Sequence, residues 1–147
     1  MIFESRSAAD TESFAMKLAS RLLPGDVIRL HGEIGVGKTV FVRGVARFFG
    51  CEQEVCSPTF AIMNIYAGST PVYHFDLYRL ESEDEIYEAG LYEYLGADGI
   101  ALVEWPELLR EYPSKRIYDV TIEKNNGISE DYRKITLEGE GFEDTCC

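Results

Sequence analysis

Residues 27–39, VIRLHGEIGVGKT, run an alternating apolar stretch into a glycine-rich turn and then into a helix-forming segment. Few arrangements constrain a chain as strongly. Gly32, Glu33, Ile34, Gly35, Val36, Gly37, Lys38 and Thr39 spell G-x-x-x-x-G-K-T, and Val40 opens the apolar stripe behind them. A strand, this loop and a helix in that order are the context in which backbone N–H groups wrap a chain of phosphates. Glycines let the main chain approach the oxygens closely, and the helix contributes its positive end. In such a loop Lys38 is expected to reach the β- and γ-phosphates and the Thr39 hydroxyl to ligate Mg²⁺. The motif therefore predicts a nucleoside triphosphate site with Mg²⁺ on an α/β fold.

The rest of the chain reads as one domain around that unit. Its 147 residues suit a single core, and 46% hydrophobic with 27% charged residues is an ordinary globular balance. Ile2–Glu4 reads as a strand. Ser7 reads as a helix N-cap with Asp10 in the capping-box position, and Phe14, Leu18 and Leu22 mark one helical face. The helix after Lys38 is expected to bury Phe41, Val45, Phe48 and Phe49, with Arg43 and Arg47 outside. Phe60–Tyr66 and Val72–Leu77 read as strands, 81–88 as the start of an interrupted helical stretch, and Pro106–Glu111 as a short helix. The unbroken apolar run Ile100–Val103 predicts a strand buried on both faces. Arg116–Lys124 and Tyr132–Glu138 predict an antiparallel hairpin. Together these predict a three-layer P-loop NTPase-like α/β fold over residues 1–139. Its central sheet is largely parallel, with an antiparallel C-terminal hairpin and a disordered tail at 140–147.

A P-loop needs a carboxylate at the end of a neighbouring strand. Glu104 follows IALV, and Asp76 follows VYHF on the same strand face as His74. Glu104 is assigned to Mg²⁺, and Asp76 to the attacking water or the outer shell of the metal; the reverse assignment stays open. Asp76 also has Arg79 nearby as a structural partner. Thr59 lies in the loop after the P-loop helix, where a γ-phosphate-sensing switch and a plain turn are both open readings. Trp105, the one tryptophan, reads either as a packing anchor or as a cover for the nucleotide.

Charge narrows the partners. The net charge is −12, and residues 51–147 carry seven basic against twenty-one acidic side chains. That balance of −14 repels a phosphate backbone, so no direct DNA or RNA binding is expected; the acidic surface reads first as a solubilising face and second as one that steers towards a basic protein partner. No apolar run approaches the roughly 20 residues that cross a bilayer. The N-terminus lacks the pattern of a secretory signal. Cys51, Cys56, Cys146 and Cys147 form no zinc-ligand spacing. These features predict a cytoplasmic protein with reduced thiols and no membrane association.

The segments GEIGVGKT, SPTF at 57–60, HFDLYRL at 74–80 and VEWPE at 103–107 together resemble the bacterial TsaE (YjeE) family. This is the small ATPase of tRNA threonylcarbamoyladenosine biosynthesis. The resemblance spans residues 1–138, and Glu33 stands where the family usually has Asp. It implies binding of ATP and Mg²⁺, weak intrinsic hydrolysis, and action on the TsaD and TsaB proteins, which would carry the tRNA. It also implies catalytic roles for Lys38, Asp76, Glu104 and Thr59, and metal ligation by Thr39 and Glu104. Trp105, Thr11 and Arg133 become nucleotide-site residues on the same resemblance. Competing readings are a small-molecule P-loop kinase and a nucleotide-gated binding module with incidental hydrolysis. A basic kinase lid is hard to place, because Arg79 is the only Arg or Lys between the P-loop helix and Arg110. No NKxD segment supports a GTPase.

Overall fold

A computed structural model describes residues 1–56, 62–108 and 116–139. Thr59 with the 57–60 loop, the end of the Pro106–Glu111 segment, and the 140–147 tail with Cys146 and Cys147 lie outside the described residues.

Twelve residues, Ala8–Ala19, form helix α1 after strand β1 at Ile2–Ser5. The Asp10 N–H donates to Ser7 Oγ, the expected N-cap bond. The Asp10 carboxylate reaches back one residue further than a capping box requires, to the Arg6 N–H. Strand β2 (Val27–His31) leads through the glycine-rich loop into α2 (Lys38–Phe48). Strands β3 (Met63–Tyr66) and β4 (Val72–Asp76) form a hairpin, and α3 (Glu83–Glu88) and a 3₁₀ turn at Leu91–Tyr94 follow it. Strand β5 (Ile100–Glu104) precedes a 3₁₀ turn at Pro106–Leu108, and β6 (Ile117–Lys124) and β7 (Arg133–Gly139) close the sheet.

The seven strands lie in the order β1-β7-β6-β2-β5-β4-β3. β6, β2, β5 and β4 are mutually parallel, and both margins turn antiparallel: β7 and β1 on one side, β3 on the other. Parallel strands of this kind need both faces covered, which explains why every residue of β5 is buried. On one face α1 and α2 cover Ile28, Leu30, Leu102, Val120, Ile122 and Ile135. On the other, Ile86, Leu91 and Leu95 cover Val27, Phe75, Ala101 and Val103. The expected three layers are present.

Alternation along β2 decides which face each side chain joins. Ile28 and Leu30 enter the helical layer. Arg29 and His31 face the other way, where Arg29 Nε and Nη2 donate to the two Asp119 carboxylate oxygens (2.7 and 2.5 Å). His31 Nε2 lies 2.8 Å from the same carboxylate. Burial would raise the Asp119 carboxyl, but Arg29 and His31 outweigh it and hold the group below its ordinary value. This cluster anchors the strand end from which the glycine-rich loop departs.

Phe48 departs from expectation. It is 43% exposed, while Phe41, Val42, Val45, Ala46 and Phe49 fill the interior. The buried stripe centres between Phe41 and Ala46, which leaves Phe48 at its margin, edge-on to Phe49.

Helices α1 and α2 cross at Gly44, where an added Cβ would sit 2.4 Å from the Glu12 carbonyl oxygen and 2.6 Å from Ala15 Cβ. A backbone oxygen cannot swing aside. Gly44→Val is therefore expected to destabilise the fold by about 1–3 kcal/mol, the usual cost of overpacking. Urea unfolding checks this, and an unchanged midpoint would contradict it.

Candidate active site

In an open α/β sheet, ligands bind beyond the carboxyl ends of the strands. Here those ends bring three segments together. The β2–α2 loop supplies the glycine-rich turn, β4 ends on Asp76, and β5 ends on Glu104. Register sets their spacing: Glu104 pairs with Leu30 on one side and Asp76 on the other. A pocket of about 340 Å³ opens there, lined by Ile34, Gly35, Gly37, Lys38, Thr39, Val40, Asp76, Tyr78, Glu104 and Trp105.

The loop's shape depends on glycine at two points for different reasons. A Cβ at Gly32 would meet the Ile122 carbonyl oxygen at 2.7 Å and Val36 Cγ1 at 2.8 Å. Gly37 caps α2 at φ 116°, a left-handed conformation that side-chain-bearing residues avoid. Helix α2 then turns its first-turn N–H groups and its positive end to the pocket.

Lys38 is 5% exposed, and its ammonium donates to the Gly32 carbonyl at 2.7 Å. It lies 3.9 Å from Glu104 Oε1 and 4.3 Å from the centre of the Trp105 ring. Trp105 also packs against Tyr78, with ring centres 5.1 Å apart. Its φ of 56° is the one positive value outside glycine among the described residues. Such a conformation costs on the order of 1–3 kcal/mol and persists only where the surroundings enforce it. Asp76 Oδ1 accepts from the Tyr78 N–H at 3.0 Å. Burial raises the Asp76 carboxyl above its ordinary value and Glu104 adds to this, against the Tyr78 N–H, His74 and Lys38. Arg79 is exposed and, among the described residues, forms no ion pair with Asp76.

Most of the expected site residues converge, and five of the described ones, Gly32, Glu33, Val36, Thr11 and Arg133, do not line the pocket. Glu33 is exposed beside it. Thr11 is buried, with its hydroxyl 2.7 Å from that of Ser5. Arg133 Nε donates to the Val36 carbonyl at 2.7 Å, and its Nη1 donates to the Glu130 and Tyr132 carbonyls. Arg133 thus braces the back of the loop from the hairpin. Tyr78 lines the pocket without having been singled out; its signal lay two residues beyond Asp76, in HFDLYRL.

A hydroxyl and two carboxylates, Thr39, Asp76 and Glu104, are hard oxygen donors facing one cavity. They suit Mg²⁺, which takes few protein ligands and completes its shell with phosphate oxygens and water. Among the described residues no cluster of three or more His, Cys, Asp and Glu forms a self-sufficient metal cage.

The model of the family "Threonylcarbamoyl adenosine biosynthesis protein TsaE" matches residues 5–135. The chain belongs to the TsaE family. Among family members named "tRNA threonylcarbamoyladenosine biosynthesis protein TsaE", that of Bacillus subtilis is 38% identical over 133 residues, covering 90% of this chain and 81% of the relative. That of Synechocystis is 42% identical over 109 residues, covering 71% and 69%. The crystal structure of Bacillus subtilis YdiB superposes with a TM-score of 0.78 at 32% identity, covering 96% of this chain and 86% of that one. The seven-stranded α/β fold and its glycine-rich loop are therefore those of a TsaE-family P-loop protein in threonylcarbamoyladenosine biosynthesis. Among the described residues no helix is long and apolar enough to cross a membrane.

Proposed function

We propose that this chain binds ATP with Mg²⁺ in the Lys38 pocket and hydrolyses it slowly alone. The turnover serves tRNA N6-threonylcarbamoyladenosine formation by acting on the TsaB–TsaD complex. One observation carries the reading: Lys38, Asp76 and Glu104 meet in a single pocket at the N-terminus of α2.

The loop N–H groups and the Lys38 ammonium bind and orient the β- and γ-phosphates. Thr39 and Glu104 would hold Mg²⁺, with Asp76 on the attacking water or the outer shell. Bound Mg²⁺ would neutralise charge developing on the phosphates. Asp76 lies at the pocket with a raised affinity for protons, which suits it to orient a water and accept its proton. The water oxygen bonds to the γ-phosphorus as the bond to the ADP oxygen breaks. Trp105 and Tyr78 wall the pocket and limit solvent. The base end of the nucleotide is assigned to the flank where Thr11 and Arg133 secure β1, the hairpin and the loop.

Partners follow from chemistry and kinship together. The relatives bear the name of a tRNA modification pathway. The net charge of −12 opposes direct contact with tRNA or DNA, so tRNA is met through the TsaD and TsaB proteins. The site requires no membrane, and a cytoplasmic location goes with this pathway.

The experiment is to follow the γ-phosphate of ATP. Release as free phosphate supports an ATPase, transfer to an added small acceptor supports the kinase reading, and binding without turnover, even with TsaB and TsaD, leaves only a binding module. Thr59 is assigned to sensing nucleotide state and controlling docking on TsaD. Thr59→Ala is expected to weaken TsaB–TsaD binding or ATP turnover at least threefold; if both are unchanged, that role is wrong.

A further inference from the structure

His74 is the most deeply buried ionisable side chain near the pocket, at 0% exposure, yet it does not line it. It stands two residues before Asp76 on β4, and β4 lies beside β5. Its Nε2 donates to Glu104 Oε2 at 2.5 Å. On the other side of the ring, Nδ1 faces the Tyr66 hydroxyl at 3.5 Å. Tyr66 is itself held: its one proton is shared between Nδ1 and the Cys56 carbonyl at 3.0 Å, and its oxygen accepts from the Cys56 and Asn64 N–H groups at 3.3 Å. The Glu104 carboxylate thus spends one oxygen on a fixed ring and turns the other towards Lys38 and the pocket.

We propose that His74 is a positioning residue: backed by Tyr66, it locks the Glu104 carboxylate so that Oε1 alone is presented to the metal and phosphates. The inference deepens the ATPase reading and rests on it. A carboxylate buried to 3% exposure needs hydrogen-bond partners to hold it, and His74 supplies one directly from the side away from the pocket. The arrangement follows the general rule that partners behind a metal-binding carboxylate set its direction. A purely structural histidine would need only some hydrogen bond. Here the bonded oxygen belongs to the one carboxylate that ends the central apolar strand in the pocket.

Three variants test it: His74→Leu removes the donor, His74→Gln returns an N–H near the Nε2 position, and Tyr66→Phe removes the backing hydroxyl. His74→Leu is expected to lower kcat at least tenfold and raise the Mg²⁺ concentration for half-maximal turnover several-fold. Metal-free ADP affinity, by calorimetry, should stay within twofold of wild type. His74→Gln should recover kcat to within threefold of wild type, and Tyr66→Phe should fall between. A folded His74→Leu protein with wild-type kcat and Mg²⁺ dependence overturns the proposal. So does a loss that His74→Gln fails to recover, which marks a packing defect.

A second readout needs no turnover. The chain has two histidines, so proton NMR should show one exchange-protected, downfield ring N–H that vanishes in His74→Gln and persists in His31→Gln. Its absence from wild type overturns the proposal even where His74→Leu does not fold. If wild type releases no phosphate, the ATPase reading fails separately. The ring N–H and the Mg²⁺ dependence of nucleotide affinity in Tyr66→Phe then still decide whether His74 holds Glu104.

Discussion

Lys38→Ala is expected to weaken ATP binding by on the order of 10²–10⁴-fold and to remove measurable turnover. Among the described residues Lys38 is the only Lys or Arg lining the pocket. Its ammonium is 5% exposed and already desolvated, so it meets a phosphate in a medium where a charge-assisted hydrogen bond is strong. About two such bonds, at about 1.5–3 kcal/mol each, account for the range. The loss has a second source. Without the cation, Asp76 and Glu104 face the phosphates uncompensated, and like charges repel across a partly dry cavity. Calorimetry is the appropriate measurement, because Trp105 stacks on the Lys38 ammonium and its fluorescence would change on substitution alone. Affinity within threefold of wild type would remove Lys38 from phosphate binding.

Glu104→Gln should separate binding from chemistry. The amide keeps the shape of the side chain and an oxygen that can accept from His74, while it removes the charge and turns the pocket-facing oxygen into an N–H donor. Turnover with Mg²⁺ is expected to fall on the order of 10²-fold, the scale of losing one electrostatic contributor to a transition state. Metal-free nucleotide affinity should hold or tighten slightly, since a carboxylate beside the phosphates has been neutralised. Phosphate-release kinetics and calorimetry on the same preparation check both halves. A turnover loss below threefold would move the metal role from Glu104 to Asp76.

The parts of this site written in local sequence were legible before any coordinates. GEIGVGKT between a strand and a helix, and an acid ending each of two apolar strands, identify Lys38, Thr39, Asp76 and Glu104, because each signal needs only a few neighbouring residues. What escaped depends on how distant strands meet. The His74–Glu104 contact joins residues thirty positions apart through the β4–β5 register. Arg133 reaches the Val36 carbonyl across ninety-seven positions. Thr11 was linked to the nucleotide by likeness alone, while its hydroxyl is paired with Ser5. The antiparallel hairpin of β6 and β7 was legible, but the pairing of β1 and β3 escaped in the same way: periodicity marks them as strands and carries no direction. Phe48 followed the helical period and still fell outside, because the period does not say where the neighbouring layer stops.

The proposed role of the Lys38–Asp76–Glu104 pocket is ATP hydrolysis in the service of TsaB and TsaD. The most direct measurement is free-phosphate release from ATP by the wild-type chain with Mg²⁺, first alone and then with TsaB and TsaD added. Slow release alone, a rise of at least tenfold with both partners, and loss of that rise in Glu104→Ala are expected. No release under either condition, or a rise that survives Glu104→Ala, would contradict that role.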